Sequence, residues 1–245
     1  MTNKNKIKLV ACTMFFINAY VLNGQGVPYI TIDPDGWTNI RKEPDARSEI
    51  LGRAYKNQIF FSIHDHCGND MFSTDSWEPV AAYGSRAGYI FKRNIFPVES
   101  LPAIRMRGDY YLFADNNQTV IAGSNDSITI RMTLQPFNRE NHMERFNAGG
   151  RILGGGSDAV TDNLKYNLFK NEIVRIDIVY GEKRFTLPKE RIIQYCDVGV
   201  LRLYIGNDGA LYLQLAGGGD GGNYSVWFSI VNGEILDEVE DFWRC

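Results

Sequence analysis

Ser127-Ile128-Thr129-Ile130-Arg131-Met132-Thr133-Leu134 alternates polar and apolar side chains at every step. A period of two puts Ile128, Ile130, Met132 and Leu134 on one face of an extended strand, with Thr129, Arg131 and Thr133 on the other. The pattern recurs downstream. Val174, Ile176, Ile178 and Tyr180 oppose Arg175 and Asp177, and Leu201, Leu203 and Ile205 repeat it, as do Leu211, Leu213 and Leu215. Strands with one buried and one wetter face belong to antiparallel sheets, so residues 102–245 are expected to form an antiparallel β-domain or β-sandwich. Tyr180-Gly181-Glu182-Lys183, between two apolar runs, reads as a hairpin. One short helix is expected at Pro188–Cys196. Pro188 suits the first helical position, Glu190 lies in the first turn, and Ile192, Ile193 and Cys196 share a side. The fold class expected is all-β, mainly antiparallel.

Upstream, Pro97-Val98-Glu99-Ser100-Leu101-Pro102 carries two prolines, which interrupt strand pairing and make this a linker. Residues 27–97 before it read as short strands: Val27–Ile32, Ile50–Ala54, Gln58–Ile63, Trp77–Val80 and Gly88–Phe91, with a turn at Asp33-Pro34-Asp35-Gly36. Breaks every 8–12 residues and no long 3.6-residue period suggest a small barrel. Asn39-Ile40-Arg41, Pro44, Ser48, Ile50-Leu51-Gly52, Trp77, Val80 and Gly88-Tyr89-Ile90 follow in an order and approximate spacing that resembles a bacterial SH3 domain. That resemblance covers about 70 residues. It implies a small, exported SH3-like barrel of the kind attached to cell-wall enzymes or surface proteins as a binding or packing module. The segment Asp65–Ser76 is longer than the usual connection before the Trp strand of that family.

Residues 1–25 read as a secretory signal peptide. Lys4, Lys6 and Lys8 precede the apolar run Leu9–Leu22, which exits through Asn23-Gly24-Gln25-Gly26. The run is shorter than the roughly 20 apolar residues that span a bilayer, so an integral membrane protein is not expected. Leu9-Val10-Ala11-Cys12 spells a lipobox. Because the apolar run continues past Cys12, that cysteine belongs to the hydrophobic region. Without the three lysines, 23 basic residues face 29 acidic ones, and the net charge moves from −3 to −6. A nucleic-acid binder would carry the opposite balance. Cys67, Cys196 and Cys245 then remain, an odd number in an exported chain; Cys196 and Cys245 are the pair that could bridge.

Fourteen of the 24 glycines lie between Gly149 and Gly222, in clusters at Gly149–Asp158 and Gly217–Tyr224. The order Asp208-Gly209, Gly219-Asp220-Gly221-Gly222-Asn223-Tyr224, Val226-Trp227 and Asn232-Gly233 resembles the end of an uncharacterised exported β-module of Gram-negative bacteria. That resemblance implies fold and location only.

Candidate chemistry is sparse. His64 and His66, two apart, could offer two ligands to zinc or copper with Asp70 or Asp75 as a third, but only His142 remains elsewhere and no closed metal site is expected. A Cys196–His142 pair could be a nucleophile and base, but Cys196 falls on the apolar side of the expected helix. Neither a Gly-x-Ser-x-Gly elbow nor a His-Glu-x-x-His motif is present, so no catalytic residue and no cofactor are assigned. Asp158, Asp162, Asp208 and Asp220 lie in or near glycine-rich loops, where turn chemistry explains them and carboxylate hydrolysis or calcium binding is the alternative. Asp237-Glu238-Val239-Glu240-Asp241 reads as a solvated edge, or else as a docking segment with Phe242 and Trp243 as anchors. Tyr29, Trp37, Tyr55, Trp77 and Tyr89 are the ligand-binding candidates: aromatics of the first region able to form a platform, although a small barrel buries about half of its aromatics.

The function expected is non-catalytic binding in the periplasm or at the cell surface, with a cell-wall peptidoglycan fragment or an envelope protein as partner. The alternatives are a carboxylate-dependent hydrolase of wall glycan, led by Asp158 and Asp220, and an acidic inhibitor or immunity-type protein.

Overall fold

The computed structural model describes residues 26–63, 73–82, 86–104, 112–114, 118–124, 127–143, 169–219 and 222–243. In the first region the strands are β1 (Pro28–Thr31), β2 (Trp37–Arg41), β3 (Ile50–Tyr55), β4 (Phe60–Phe61), β5 (Trp77–Ala82), β6 (Arg86–Phe91) and β7 (Ile95–Pro97). The second holds β8 (Ala103–Ile104), β9 (Leu112–Ala114), β10 (Gln118–Ser124), β11 (Ile128–Pro136), β12 (Asn171–Tyr180) and β13 (Lys183–Thr186). After the helix α1 (Lys189–Ile192) come β14 (Val198–Ile205), β15 (Leu211–Gly219), β16 (Gly222–Val231) and β17 (Glu234–Trp243).

The alternating segments build a sandwich of two antiparallel five-stranded sheets, ordered β13-β12-β11-β10-β9 and β17-β16-β15-β14-β8. Ile128, Ile130, Met132 and Leu134 are buried against Leu201, Leu203, Leu211, Leu213, Leu215, Val226 and Phe228 in one core. Thr129 and Arg131 face solvent, as period-two alternation requires. One face assignment is corrected. Ile173, not Val174, enters the core, because the ladder slips between Thr133 and Leu134 and leaves Val174 as the extra residue of a β-bulge. The helix is also shorter than expected: it stops at Ile192, with Pro188 as its N-cap, and Tyr195 and Cys196 follow as buried, non-helical residues. The hairpin at Gly181 forms with φ +58°, and Asn232 and Gly233 (φ 54° and 88°) give the final β16–β17 turn, both left-handed as a type I′ turn demands.

The first region is not a closed barrel among the described residues. Two small sheets, β4-β1-β7 and β3-β2-β6-β5, are joined by a single bridge between Ser62 and Val80, and the end strands β3 and β7 do not pair. β7 instead leads directly into the sandwich. Val98 and Leu101, in the proline-bounded segment read as a linker, are buried with Ile30 and Ile59 against Tyr204, Ala210, Tyr212 and Trp227. Pro102 O accepts from Ile205 N at 2.8 Å, and β8 pairs with β14. Each large side chain in this seam contributes roughly 1.5–3 kcal/mol by burial. Lys56 pairs with Asp208 (3.1 Å), Tyr212 donates to Asn57 Oδ1 (3.0 Å), and Asp237 Oδ2 accepts from Ile59 N (3.2 Å) at the same seam.

Between the two small sheets, Ile40, Ala54, Val80 and Ile90 of one and Ile95 of the other form the core. Gly88 is required there, because a Cβ would run into Ile40 Cγ2 and approach Arg41 O at 3.1 Å.

Candidate aromatic and arginine face

The burial of Thr38, Ile40, Ala54, Val80 and Ile90 fixes which side chains of β3-β2-β6-β5 point the other way. Residues directly opposite in a ladder share a face. Trp37 opposes Tyr55, Asn39 opposes Arg53, Arg41 opposes Tyr89, Pro79 opposes Tyr89, and Trp77 opposes Phe91. Four of the five predicted aromatics, Trp37, Tyr55, Trp77 and Tyr89, therefore share one outward face. Tyr29 does not. It lies on β1, its ring 6.3 Å from that of Phe60, packed against the Ile40–Ile90 core.

Arginines interleave with these rings, which the aromatic residues alone do not foretell. The Arg53 guanidinium carbon sits 3.9 Å from the Trp37 ring centre, and that of Arg93 sits 4.8 Å from Phe91. Trp77 and Phe91 pack at 5.1 Å with their planes tilted by 58°. Arg41 Nη1 donates to Ser48 O at 2.7 Å, which ties the face to the β2–β3 turn. Tyr55 is 51% exposed, Ile50 49%. Among the described residues, neither Arg53 nor Arg93 has a carboxylate within ion-pair distance, and Asn39 Oδ1 is buried without a hydrogen-bond partner. The face presents guanidinium groups beside aromatic and apolar surface.

The remaining candidates are structural in their contacts. His142, wholly buried, has Nε2 2.7 Å from Glu172 Oε2, while its Nδ1 has no hydrogen-bond partner among the described residues. Gln135 (2.5 Å), Asn141 (2.6 Å) and Asn138 N (3.0 Å) also donate to Glu172. Burial acts to raise the Glu172 carboxyl, but these donors outweigh it and hold the carboxyl below its usual range. Cys196 lies in the same corner, a free and fully buried thiol between Phe169 and Phe137. Burial, with Asp197 and Glu172 nearby, pushes it far above the range in which a thiolate forms.

Asp237, Glu238 and Glu240 of the acidic run do not form a solvated edge. Asp237 caps Ile59, and Glu238 and Glu240 turn inward to the Tyr195 hydroxyl at 2.6 and 2.8 Å. Arg191 pairs with Glu238 at 2.5 Å. This follows from strand alternation, since Glu238 and Glu240 oppose the core residues Phe228 and Val226. Asp208 takes the turn role: its Oδ1 accepts from Ala210 N at 3.2 Å. Burial would raise its carboxyl, but Lys56 and the Ala210 N–H lower it on balance.

Asp75 is exposed in the turn before β5. His64, His66, Cys67, Asp70, Asp158, Asp162, Asp220 and Cys245 lie outside the described residues, as do residues 1–25. Among the described residues, no group of three His, Cys, Asp or Glu side chains could hold a metal ion, and no helix is long and apolar enough to cross a membrane. Compared with family models, with curated proteins and with solved structures, the chain gives no match.

Proposed function

We propose that this chain is an exported, non-catalytic binding protein of the bacterial cell envelope, and that the outward face of β3-β2-β6-β5 is where it holds its ligand. The ligand is a cell-wall fragment or an envelope protein. One observation carries the reading: strand register gathers Trp37, Tyr55, Trp77 and Tyr89 onto a single face together with Arg41 and Arg53. Tyr55 is 51% exposed and Trp37, Trp77 and Tyr89 are partly so, and aromatic and arginine side chains dominate binding hot spots. The acidic run gives an inhibitor reading less support, because Asp237, Glu238 and Glu240 make their bonds inside the fold.

The test is retention of the chain from about Gly26 on purified peptidoglycan and on immobilised envelope extract. Wild type is expected to be retained on one of the two. Trp77→Ala and Tyr89→Ala variants, checked for an unchanged melting curve, are expected to lose it. Retention unaffected by both substitutions removes this face from the function.

A further inference from the structure

Three features of the outward face together specify a ligand more closely than its aromatics do. The guanidinium of Arg53 lies over Trp37 and that of Arg93 lies over Phe91. A guanidinium stacked on a ring keeps its in-plane N–H edge free, the edge that grips a carboxylate with two parallel hydrogen bonds. Neither arginine has an acidic partner among the described residues, in a chain whose net charge is −3. Around these cations the face carries the apolar surface of Tyr89, Tyr55 and the half-exposed Ile50, with Asn39 opposite Arg53.

We infer that this face takes an acidic peptide segment of a partner protein, bound extended with carboxylates alternating with apolar side chains. The inference rests on the binding reading above and deepens it. On an extended peptide every second side chain faces the same way, about 7 Å apart, so one set meets the arginines as the peptide crosses the face. A long polyanion such as nucleic acid is not favoured, because few cations line the face and the chain as a whole is acidic.

The probe is an eight-residue peptide of alternating glutamate and valine, with the glutamine–valine and lysine–valine peptides as controls, titrated calorimetrically into the full chain. The glutamate peptide is expected to bind and the controls to bind at least tenfold more weakly. Raising the salt from about 0.01 M to about 0.1 M shortens the Debye length from about 30 Å to about 10 Å and is expected to weaken binding several-fold. Arg53→Gln and Arg93→Gln are each expected to weaken it at least fivefold. Arg53→Lys keeps the charge, loses the fork, and should fall between. Equal binding of the glutamine peptide, or of the Arg53→Gln/Arg93→Gln double variant, overturns the inference. Retention of wild type on peptidoglycan with no uptake of the acidic peptide also overturns it, while leaving the binding reading intact. No retention on either matrix and no uptake overturns both.

Discussion

In β11, Ile128, Ile130, Met132 and Leu134 are buried while Thr129 and Arg131 face solvent; in β16, Val226, Trp227, Phe228, Ser229 and Ile230 are buried without exception. The two strands sit in opposite sheets of one sandwich and share one core. They differ in what lies on the other side. On the second face of the sheet containing β11, Thr129, Arg131 and Arg175 are exposed to water, whereas Tyr204, Tyr212 and Trp227 on the second face of the other sheet meet Ile30, Ile59, Val98 and Leu101 of the first region. An antiparallel sheet stays amphipathic only while one side is wet. Covered on both sides, it becomes apolar throughout, and the seam makes the small sheets and the sandwich one packed body.

Trp227→Ala tests that contrast most severely. It removes a ring that is 2% exposed and stacked on Tyr204 at 5.5 Å, and should cost about 3–5 kcal/mol in urea unfolding. Thr129→Ala, on the wet face of the other sheet, should stay within about 0.5 kcal/mol of wild type. If the two substitutions cost the same, the seam is not a second core.

Glu172→Gln probes the corner of the wet-faced sheet and should cost about 1–3 kcal/mol near neutral pH, since a carboxylate with four donors is replaced by an amide. Its carboxyl is held below the usual value, so the stabilisation is complete above about 4.5 and is lost as the pH falls through the lower, folded value. The gap between wild type and Glu172→Gln should therefore narrow on acidification.

Asp237, at the seam, behaves in the opposite sense. Burial raises its carboxyl, against hydrogen bonds from Ile59 and Glu238 N–H, so its contribution is full below 3.8 and falls as the pH rises through the folded value. Asp237→Asn should gain on wild type between acidic and neutral pH. A parallel pH response at Glu172 and Asp237 would remove the distinction drawn between the two sites. Lys56→Met breaks only a half-exposed ion pair with Asp208 and should cost less than about 1 kcal/mol, with a still smaller effect at high salt.

These contrasts explain what the residue pattern carried. The wet-faced sheet was legible because Thr129 and Arg131 mark its outer side; only the bulge at Val174 escaped, since an inserted residue leaves no trace in a run of Ile and Val. The covered sheet was legible on its inner face through Leu211, Leu213 and Leu215. Tyr212 and Trp227 on its other face carried the seam, but an aromatic between aliphatics reads the same whether it packs on a neighbour or binds a ligand. Two prolines suggested a tether at Pro97–Pro102, whereas Val98 and Leu101 between them were its apolar content and the means of packing. At the candidate site the aromatics were visible one by one. Their common face was not, because it depends on the β2–β6 pairing, which joins Arg41 to Tyr89 across 48 positions of sequence.

Cys196 gives the molecule a built-in clock. Its thiol is buried with Phe169 and Phe137 at the sandwich corner and protected from alkylating reagents as long as that corner stays shut. The rate at which a reagent captures it therefore counts openings of the sandwich, while detachment of the small sheets along the seam leaves it silent.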